Sequence, residues 1–376
     1  MSRVVSVGSV NVDHVAYCDA ETVESLSATY DWFPAPGETV RVESIPGEIE
    51  QYVSETHVGG KGANQSVAAA LARPAEERGG DNPAAESVFL GKVGTDDDEW
   101  SVRETLADYG VDVSGVGVAD CPTGSAHVFV DEAGENYIAI RAGANGRVDA
   151  DYVATHAESI LSADCLLLQN ELPVATGAAV LDLIADAPAD VGAAATATAA
   201  DAADATATAA DAADATATAA DTTPTVLLDP APADGAGRLV GHPAVDLLTP
   251  NESEYAWLSG ESTAPGAPES DLLADFAGVV VRTRGAKDVL VEDRSVGETF
   301  AVTPPPVDPV DTTGAGDVFA GYLAGELACG RDLRAACRTA VAASACSTER
   351  EGVQTATPTR AEVREFAERV GFTLRE

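Results

Sequence analysis

Near the C-terminal end, Asp311-Thr312-Thr313-Gly314-Ala315-Gly316-Asp317 sets a carboxylate directly behind a glycine-rich turn. Gly314 and Gly316 let the backbone come close to an anion. The stretch Val318-Phe319-Ala320-Gly321-Tyr322-Leu323 continues as a helix whose first N–H groups have no partner within it, and such a terminus suits a phosphate. Asp317 falls in the first helical turn, where a carboxylate does not hold a phosphate passively. Its chemistry there is to take a proton from a hydroxyl that attacks the phosphate gathered by Gly314, Ala315 and Gly316. The pattern points to phosphoryl transfer.

A second glycine-rich turn, Gly59-Gly60-Lys61-Gly62-Ala63-Asn64-Gln65, also runs into a helix, Ser66-Val67-Ala68-Ala69-Ala70-Leu71. It is not a Walker A loop, because Gly62 rather than Ser or Thr follows Lys61 and the upstream spacing differs. Alone, the cluster is a tight turn at a helix boundary. It gains meaning beside Gly8-Ser9-Val10-Asn11-Val12-Asp13-His14, read as the end of the first strand. Asn11, Asp13, Lys61 and Asn64 offer charged and amide groups that suit a polyhydroxylated ligand, and ligands bind beyond the carboxyl ends of strands in open α/β sheets.

The elements that must position these residues alternate. Apolar β-type runs at Val4 to Val10, Ser87 to Val93, Cys165 to Leu168, Val226 to Leu228, Leu247 to Thr249 and Val279 to Arg282 are separated by Ala-rich helical stretches. This predicts an α/β fold with a mostly parallel sheet covered by helices. Val12 to Ile45 and Thr123 to Arg141 break the pattern with alternating residues and turns, including a β-hairpin from Val128 to Ile140 around Glu132 to Glu135. Their expected product is a small second sheet that covers the site. Between Ala195 and Ala220 the unit Ala-Thr-Ala-Thr-Ala-Ala-Asp-Ala-Ala-Asp recurs without a constant apolar face. Residues 192–223 therefore read as a low-complexity insertion in a mobile loop, and Arg73 to Glu86 as a smaller loop expansion.

Composition limits the function classes. A formal charge of −40, from 62 acidic against 22 basic residues, opposes binding to nucleic acid or an anionic membrane. The acids are spread along all 376 residues, a pattern expected of an intracellular, salt-adapted (halophilic) enzyme whose self-repulsion is screened by salt. The N-terminus shows no signal-peptide pattern and no apolar run reaches spanning length, so the expected location is cytoplasmic. Six cysteines without metal-ligand spacing read as buried free thiols.

With both glycine turns in place, the chain resembles the ribokinase family of carbohydrate kinases, also called the phosphofructokinase B family. Gly94-Thr95-Asp96-Asp97, Thr123-Gly124, Ala142-Gly143-Ala144-Asn145, Asp229-Pro230-Ala231-Pro232-Ala233 and Thr249-Pro250-Asn251-Glu252-Ser253-Glu254 lie between the turns in the family's order. The resemblance implies one carbohydrate-kinase domain over residues 1–376: a three-layer α/β/α sandwich with a β-sheet lid drawn from about 12–56 and 123–142. It implies Asp317 as the general base, with Gly314, Ala315 and Gly316 as the anion hole. It implies sugar contacts from Asn11, Asp13, Gly59, Gly60, Lys61, Asn64 and Glu171, the last of which follows a strand end facing the same pocket. For ATP, and for Mg²⁺ held largely through water, it implies Asn251 and Glu254, with Thr283, Gly285, Ala286, Lys287 and Gly316 along the nucleotide. Gly285-Ala286-Lys287-Asp288 departs from the family's frequent Gly-x-x-Gly, which leaves the backbone path at Asp288 open. Asp311 and Thr313, with backbone groups near Ser347, Arg350 and Gly352, correspond to a monovalent-cation site that takes K⁺.

Within that family Gly8 to His14, Pro36-Gly37-Glu38-Thr39 and Gly134-Glu135-Asn136 are ribokinase-like, so the expected substrate is D-ribose, phosphorylated on its 5-hydroxyl. Fructose, 2-keto-3-deoxygluconate, a nucleoside or ribose 1-phosphate are the alternatives; Arg141 keeps the sugar phosphate open, although it reads first as a lid surface residue. A non-catalytic sugar-binding regulator on the same fold is the reading from another class, against which the intact Asp317 argues. Lid sheets with exposed edges pair, so the expected assembly is a homodimer through the lid.

Overall fold

Apolar runs buried on both faces make the inner strands of a parallel sheet. Cys165–Gln169 is buried at every position, and Arg3–Val7, Glu86–Leu90 and Thr225–Asp229 at all but the first. The computed structural model describes residues 2–374 apart from 37–38, 74–85, 134, 188–222, 265 and 269. Among the described residues the main sheet has nine strands. Their order is Glu298–Val302, Val289–Asp293, Val279–Arg282, Leu247–Leu248, Thr225–Asp229, Cys165–Gln169, Arg3–Val7, Glu86–Leu90 and Val111–Asp112. From Val279–Arg282 onward the pairs are parallel, and the first two strands add antiparallel at one edge.

Because successive strand residues point to opposite faces, the sheet builds two cores. Leu166, Leu168, Val226 and Leu228 pack with Tyr152, Val180 and Leu181 of the helices Ala150–Thr155 and Val174–Ala185. On the other face, Cys165, Leu167 and Leu227 meet the helices Lys61–Leu71, Ala315–Ala328 and Leu333–Ser347. The result is a three-layer α/β/α sandwich.

One helix pair in this second core decides the position of the site. Lys61–Leu71 and Ala315–Ala328 run side by side in the same direction, Asp317 beside Asn64 and Gln65, and Gly321 beside Gln65 and Ala68. A Cβ on Gly321 would fall 2.4 Å from the Gln65 carbonyl oxygen, so the absence of a side chain there permits the close approach. Parallel alignment brings both glycine-rich N-termini to one end of the sheet.

The lid is a five-stranded sheet in the order Thr39–Arg41, Asn136–Arg141, Gly124–Val130, Asn11–Tyr17 and Glu55–Gly59. It has its own core of Ala16, Leu26, Ile49, Phe129 and Tyr137, with Phe33 packed on Phe129 at 5.1 Å between ring centres. Ile49 and Phe129 are fully buried, each worth roughly 1.5–3 kcal/mol.

Several elements differ from those expected. The first strand stops at Val7 rather than Val10, and the chain enters the lid at Asn11. Asn145 is the cause: its side-chain oxygen accepts from Val10 N–H and its amide donates to Val10 C=O, both at 3.0 Å, so a side chain takes the bonds a neighbouring strand would make. Ser87 to Val93 is two strands, Glu86–Leu90 and Lys92–Val93, the second paired with Gly117–Val118 in a separate small sheet. Within the stretch read as alternating, Ala20–Thr29 is a helix capped by Asp19. Of the six cysteines, Cys18, Cys165, Cys337 and Cys346 are buried as expected, but Cys329 is exposed just past a helix end. The low-complexity insertion, except Thr223, and the core of the Arg73 to Glu86 expansion lie outside the described residues. Among the described residues no helix is long and apolar enough to cross a membrane.

Candidate functional site

Asp317 sits in the first turn of Ala315–Ala328, behind Gly314, which takes a left-handed φ of 73°. A Cβ on Gly314 would strike Val353 at 2.3 Å, whereas one on Gly316 would meet nothing within 4 Å, so the side of the turn next to Asp317 is open. Asp317 is buried, and both carboxylate oxygens are held. Oδ2 accepts from the Asn64 amide at 3.0 Å and Oδ1 from the Gln65 amide at 3.2 Å, with Lys61 Nζ 3.7 Å from Oδ1. Lys61 Nζ lies equally far from Asp229 Oδ2, which also accepts from Gln65 at 2.8 Å. Burial alone would lower the Lys61 pKa, but Asp229, Asp317, Glu171 and Glu254 together hold its ammonium form well above the ordinary range.

The expected sugar ligands come together around this cluster. Glu171, just past Cys165–Gln169, accepts from the Lys61 backbone N–H at 3.0 Å and from the Ser9 hydroxyl. Gly60 is the N-cap of the Lys61 helix, and Gly59 lies against the Asp13 carboxylate across the lid strands. Asn11 opens the lid strand, its oxygen accepting from Asn145 at 2.8 Å. Asp13 Oδ1 is buried with no partner among the described residues. Burial, and then Glu171 and Asp317, raise the Asp13 pKa to about 7. An acid so placed gains from donors, and the hydroxyls of a sugar are donors.

A pH effect follows. A carboxyl whose folded pKa is raised is protonated in the folded state while the unfolded chain has already lost the proton. Its stabilisation is present below pH 4 and is lost as pH rises through 7. Glu254, raised to about 7 by burial and then Asp229, acts in the same sense. Urea unfolding in molar KCl is expected to show Asp13→Asn losing roughly 1–3 kcal/mol less than the wild type between pH 5 and 7.5. Equal losses in both proteins would show that Asp13 is ionised when the pocket is empty.

Of the residues expected along the nucleotide, Asn251 and Glu254 form a capping box on Glu252–Leu258, Asn251 Oδ1 accepting from Glu254 N–H at 2.9 Å and Glu254 Oε2 from Asn251 N–H at 2.8 Å. Thr283 N–H donates to Pro250 C=O at 3.0 Å, which sets the Thr283 loop beside that helix. Gly285 and Ala286 are exposed, and Lys287 is bound to Glu252 at 3.1 Å. Asp288 needs no left-handed backbone, since Ser101 is the sole non-glycine with positive φ among the described residues. Asp311 accepts from Thr313 N–H at 2.9 Å and Gly352 N–H at 3.1 Å, so it ties the anion turn to the segment after Ser347. The Arg350 side chain pairs with Glu362 at 2.7 Å.

Sequence reasoning gave no role to Asp229, Gln65 or Gln354. Asp229 and Gln65 stood inside quoted motifs, and the acid at a strand end was the signal available. Gln354, whose amide donates to Asn64 at 3.0 Å, carries no local signal. Arg141 pairs with Ser125, on the face of the lid shared with His127 and opposite to Asp13, which agrees with a lid residue outside the pocket rather than with a sugar-phosphate contact.

A model of the pfkB family carbohydrate kinases matches residues 41–360. The ribokinase of Bacillus subtilis is 30% identical over 373 residues, covering 97% of this chain and 99% of that protein. Among solved structures, ribokinase from Thermotoga maritima is 29% identical with a TM-score of 0.67, covering 98% of this chain and 100% of that one. Arabidopsis thaliana ribokinase complexed with ribose and ATP, at 24% identity, shares the fold with a TM-score of 0.67 over 97% of this chain and 98% of that one.

Proposed function

The chain belongs to the pfkB family of carbohydrate kinases, and on that premise we propose that it transfers the γ-phosphoryl group of ATP to the 5-hydroxyl of D-ribose, giving D-ribose 5-phosphate and ADP. The observation that carries this reading is the Asp317 carboxylate, held by Asn64, Gln65 and Lys61 behind the open turn Gly314 to Gly316. Asn11, Asp13, Gly59, Gly60, Lys61, Asn64 and Glu171 grip the sugar. Asp317 takes the hydroxyl proton as the new O–P bond forms, and the N–H groups at Gly314, Ala315 and Gly316 receive the charge gathering on the phosphoryl oxygens while the bond to ADP breaks.

Thr283, Gly285, Ala286 and Lys287 line ATP. The carboxylates of Asp229 and Glu254 are hard oxygen donors in an acid-rich pocket, a set that fits Mg²⁺, which when bound neutralises phosphate charge. Asp311 and Thr313, with backbone groups of Ser347, Arg350 and Gly352, hold K⁺. The charge of −40 supports work in a salt-rich cytoplasm, and the exposed Tyr17 and free lid edges support a homodimer.

A second reading, an anionic sugar such as ribose 1-phosphate or a sugar acid, is favoured by Arg41. It sits in one cross-strand row with Ile140, Ala126 and Asp13, hence on the pocket face, and its guanidinium donates to the Asn170 carbonyl at 3.4 Å, next to Glu171. It forms no ion pair among the described residues. The test is ADP release from Mg-ATP in high KCl over ribose, fructose, 2-keto-3-deoxygluconate, nucleosides and ribose 1-phosphate, with Arg41→Ala alongside. Ribose is expected to give the highest kcat/KM and Arg41→Ala to change it by less than about threefold. A fall of 10-fold or more confined to anionic substrates, the size of a lost charge-assisted contact, would transfer the assignment to them.

A further inference from the structure

The back of the lid carries a cluster that the kinase reading does not use. His14 and His127 are direct partners on neighbouring parallel strands, their rings stacked at 4.6 Å, and Glu50 approaches from the short helical turn Gly47–Tyr52. One donor atom from each of the three residues lies within 4.8 Å of the others. We propose that His14, His127 and Glu50 bind a divalent transition metal of the Zn²⁺ type, and that this metal ties the Asn11–Tyr17 strand to Gly124–Val130 and to the Gly47–Tyr52 turn.

The geometry favours a metal over an ordinary hydrogen-bonded histidine pair. His127 Nε2 stands 3.5 Å from Glu50 Oε1, long for a hydrogen bond and close to the edge of about 3.3 Å between ligands of a tetrahedral site with bonds near 2.0–2.1 Å. The buried His127 Nδ1 has no partner among the described residues, so the ring's one polar side-chain contact is the long one from Nε2 to Glu50. His14 is held by Trp100, edge-on at 5.5 Å, and by Thr56 Oγ1, 3.4 Å from Nδ1. Burial lowers both imidazole pKa values, His127 to about 4 with His14 as the next cause, and Arg141 contributes in the same direction to each. Two imidazoles and a carboxylate suit Zn²⁺ or Co²⁺ better than Mg²⁺.

The site lies opposite the pocket face, but on the strand that supplies Asn11 and Asp13. Titration of the full chain with ZnCl₂ in excess Mg²⁺ is expected to show one Zn²⁺ bound per chain with a rise in Tm, and Co²⁺ is expected to give visible d–d bands. Glu50→Gln, at an exposed side chain, is expected to weaken Zn²⁺ by at least about 100-fold, beyond the 10–100-fold of a lost outer partner. His127→Gln should do the same, while Glu254→Gln in the kinase pocket should not. Absence of stoichiometric binding, binding indifferent to Glu50→Gln, or loss on Glu254→Gln would each overturn the proposal.

Discussion

Asp317→Asn is expected to lower kcat by about 10²–10⁴-fold, the usual contribution of a general base, while sugar and nucleotide affinities stay within a few-fold of the wild type. The hydrogen-bond network explains why the fold should tolerate this substitution. An amide at position 317 sets one N–H₂ group against the donors of Asn64 or Gln65. Asn64 can turn its oxygen to meet it, because the group behind Asn64 is the Gln354 amide, whose own oxygen has no partner among the described residues and can accept in turn. Two amide flips absorb the change. Removing the carboxylate also relieves Asp13, Glu171, Asp229 and Glu254, whose pKa values Asp317 helps to raise. The empty variant should therefore be as stable as the wild type near neutral pH, or more so. Turnover measured beside calorimetric sugar binding and Tm separates chemistry from folding. A variant turning over within 10-fold of the wild type would remove Asp317 from the role of base, since that lies below the least that such a base contributes.

How far the site was legible in the sequence depends on how local each signal is. A glycine turn opening a helix is written in adjacent residues, so Gly314 to Asp317 and Gly59 to Asn64 stood out, and their meeting was implied by the resemblance. The contact itself joins Asn64 to Asp317 across 253 residues and rests on Gly321, whose role shows only when the two helices are packed. The alternation of apolar runs fixed the sheet's character but not its strand ends, because Asn145, far along the chain, closes the first strand. Faces of the lid were the least legible. Whether an arginine looks into the pocket depends on strand register, and register placed Arg41 on that face and Arg141 on the other. Asp229 was visible as a motif and silent as to role, since its meaning comes from Lys61.

Lys61→Met is expected to cost roughly 2–4 kcal/mol of stability at pH 7.5, somewhat less than the 3–5 kcal/mol of breaking a fully buried pair, because Lys61 keeps 30% of its side-chain surface in solvent. Methionine keeps the length of the side chain and the Lys61 backbone bond to Glu171, so the loss isolates the ammonium. Without it, Asp229, Glu171 and Glu254 lose the Lys61 cation and take up protons at higher pH, since Lys61 now holds all three pKa values down against burial. Two signatures follow from that sign. Stability should recover as pH falls from 7.5 to 5.5 and the acids take up protons, and should also recover with millimolar Mg²⁺, which replaces the missing positive charge. The activity that survives should need more alkaline conditions, with the rising limb of the kcat/KM profile displaced upward in pH. A simple packing defect would lower stability equally at both pH values and would ignore Mg²⁺. Unfolding midpoints at the two pH values, with and without Mg²⁺, distinguish the cases, and pH-independent loss would mean that Lys61 is not the charge that holds the carboxylates together.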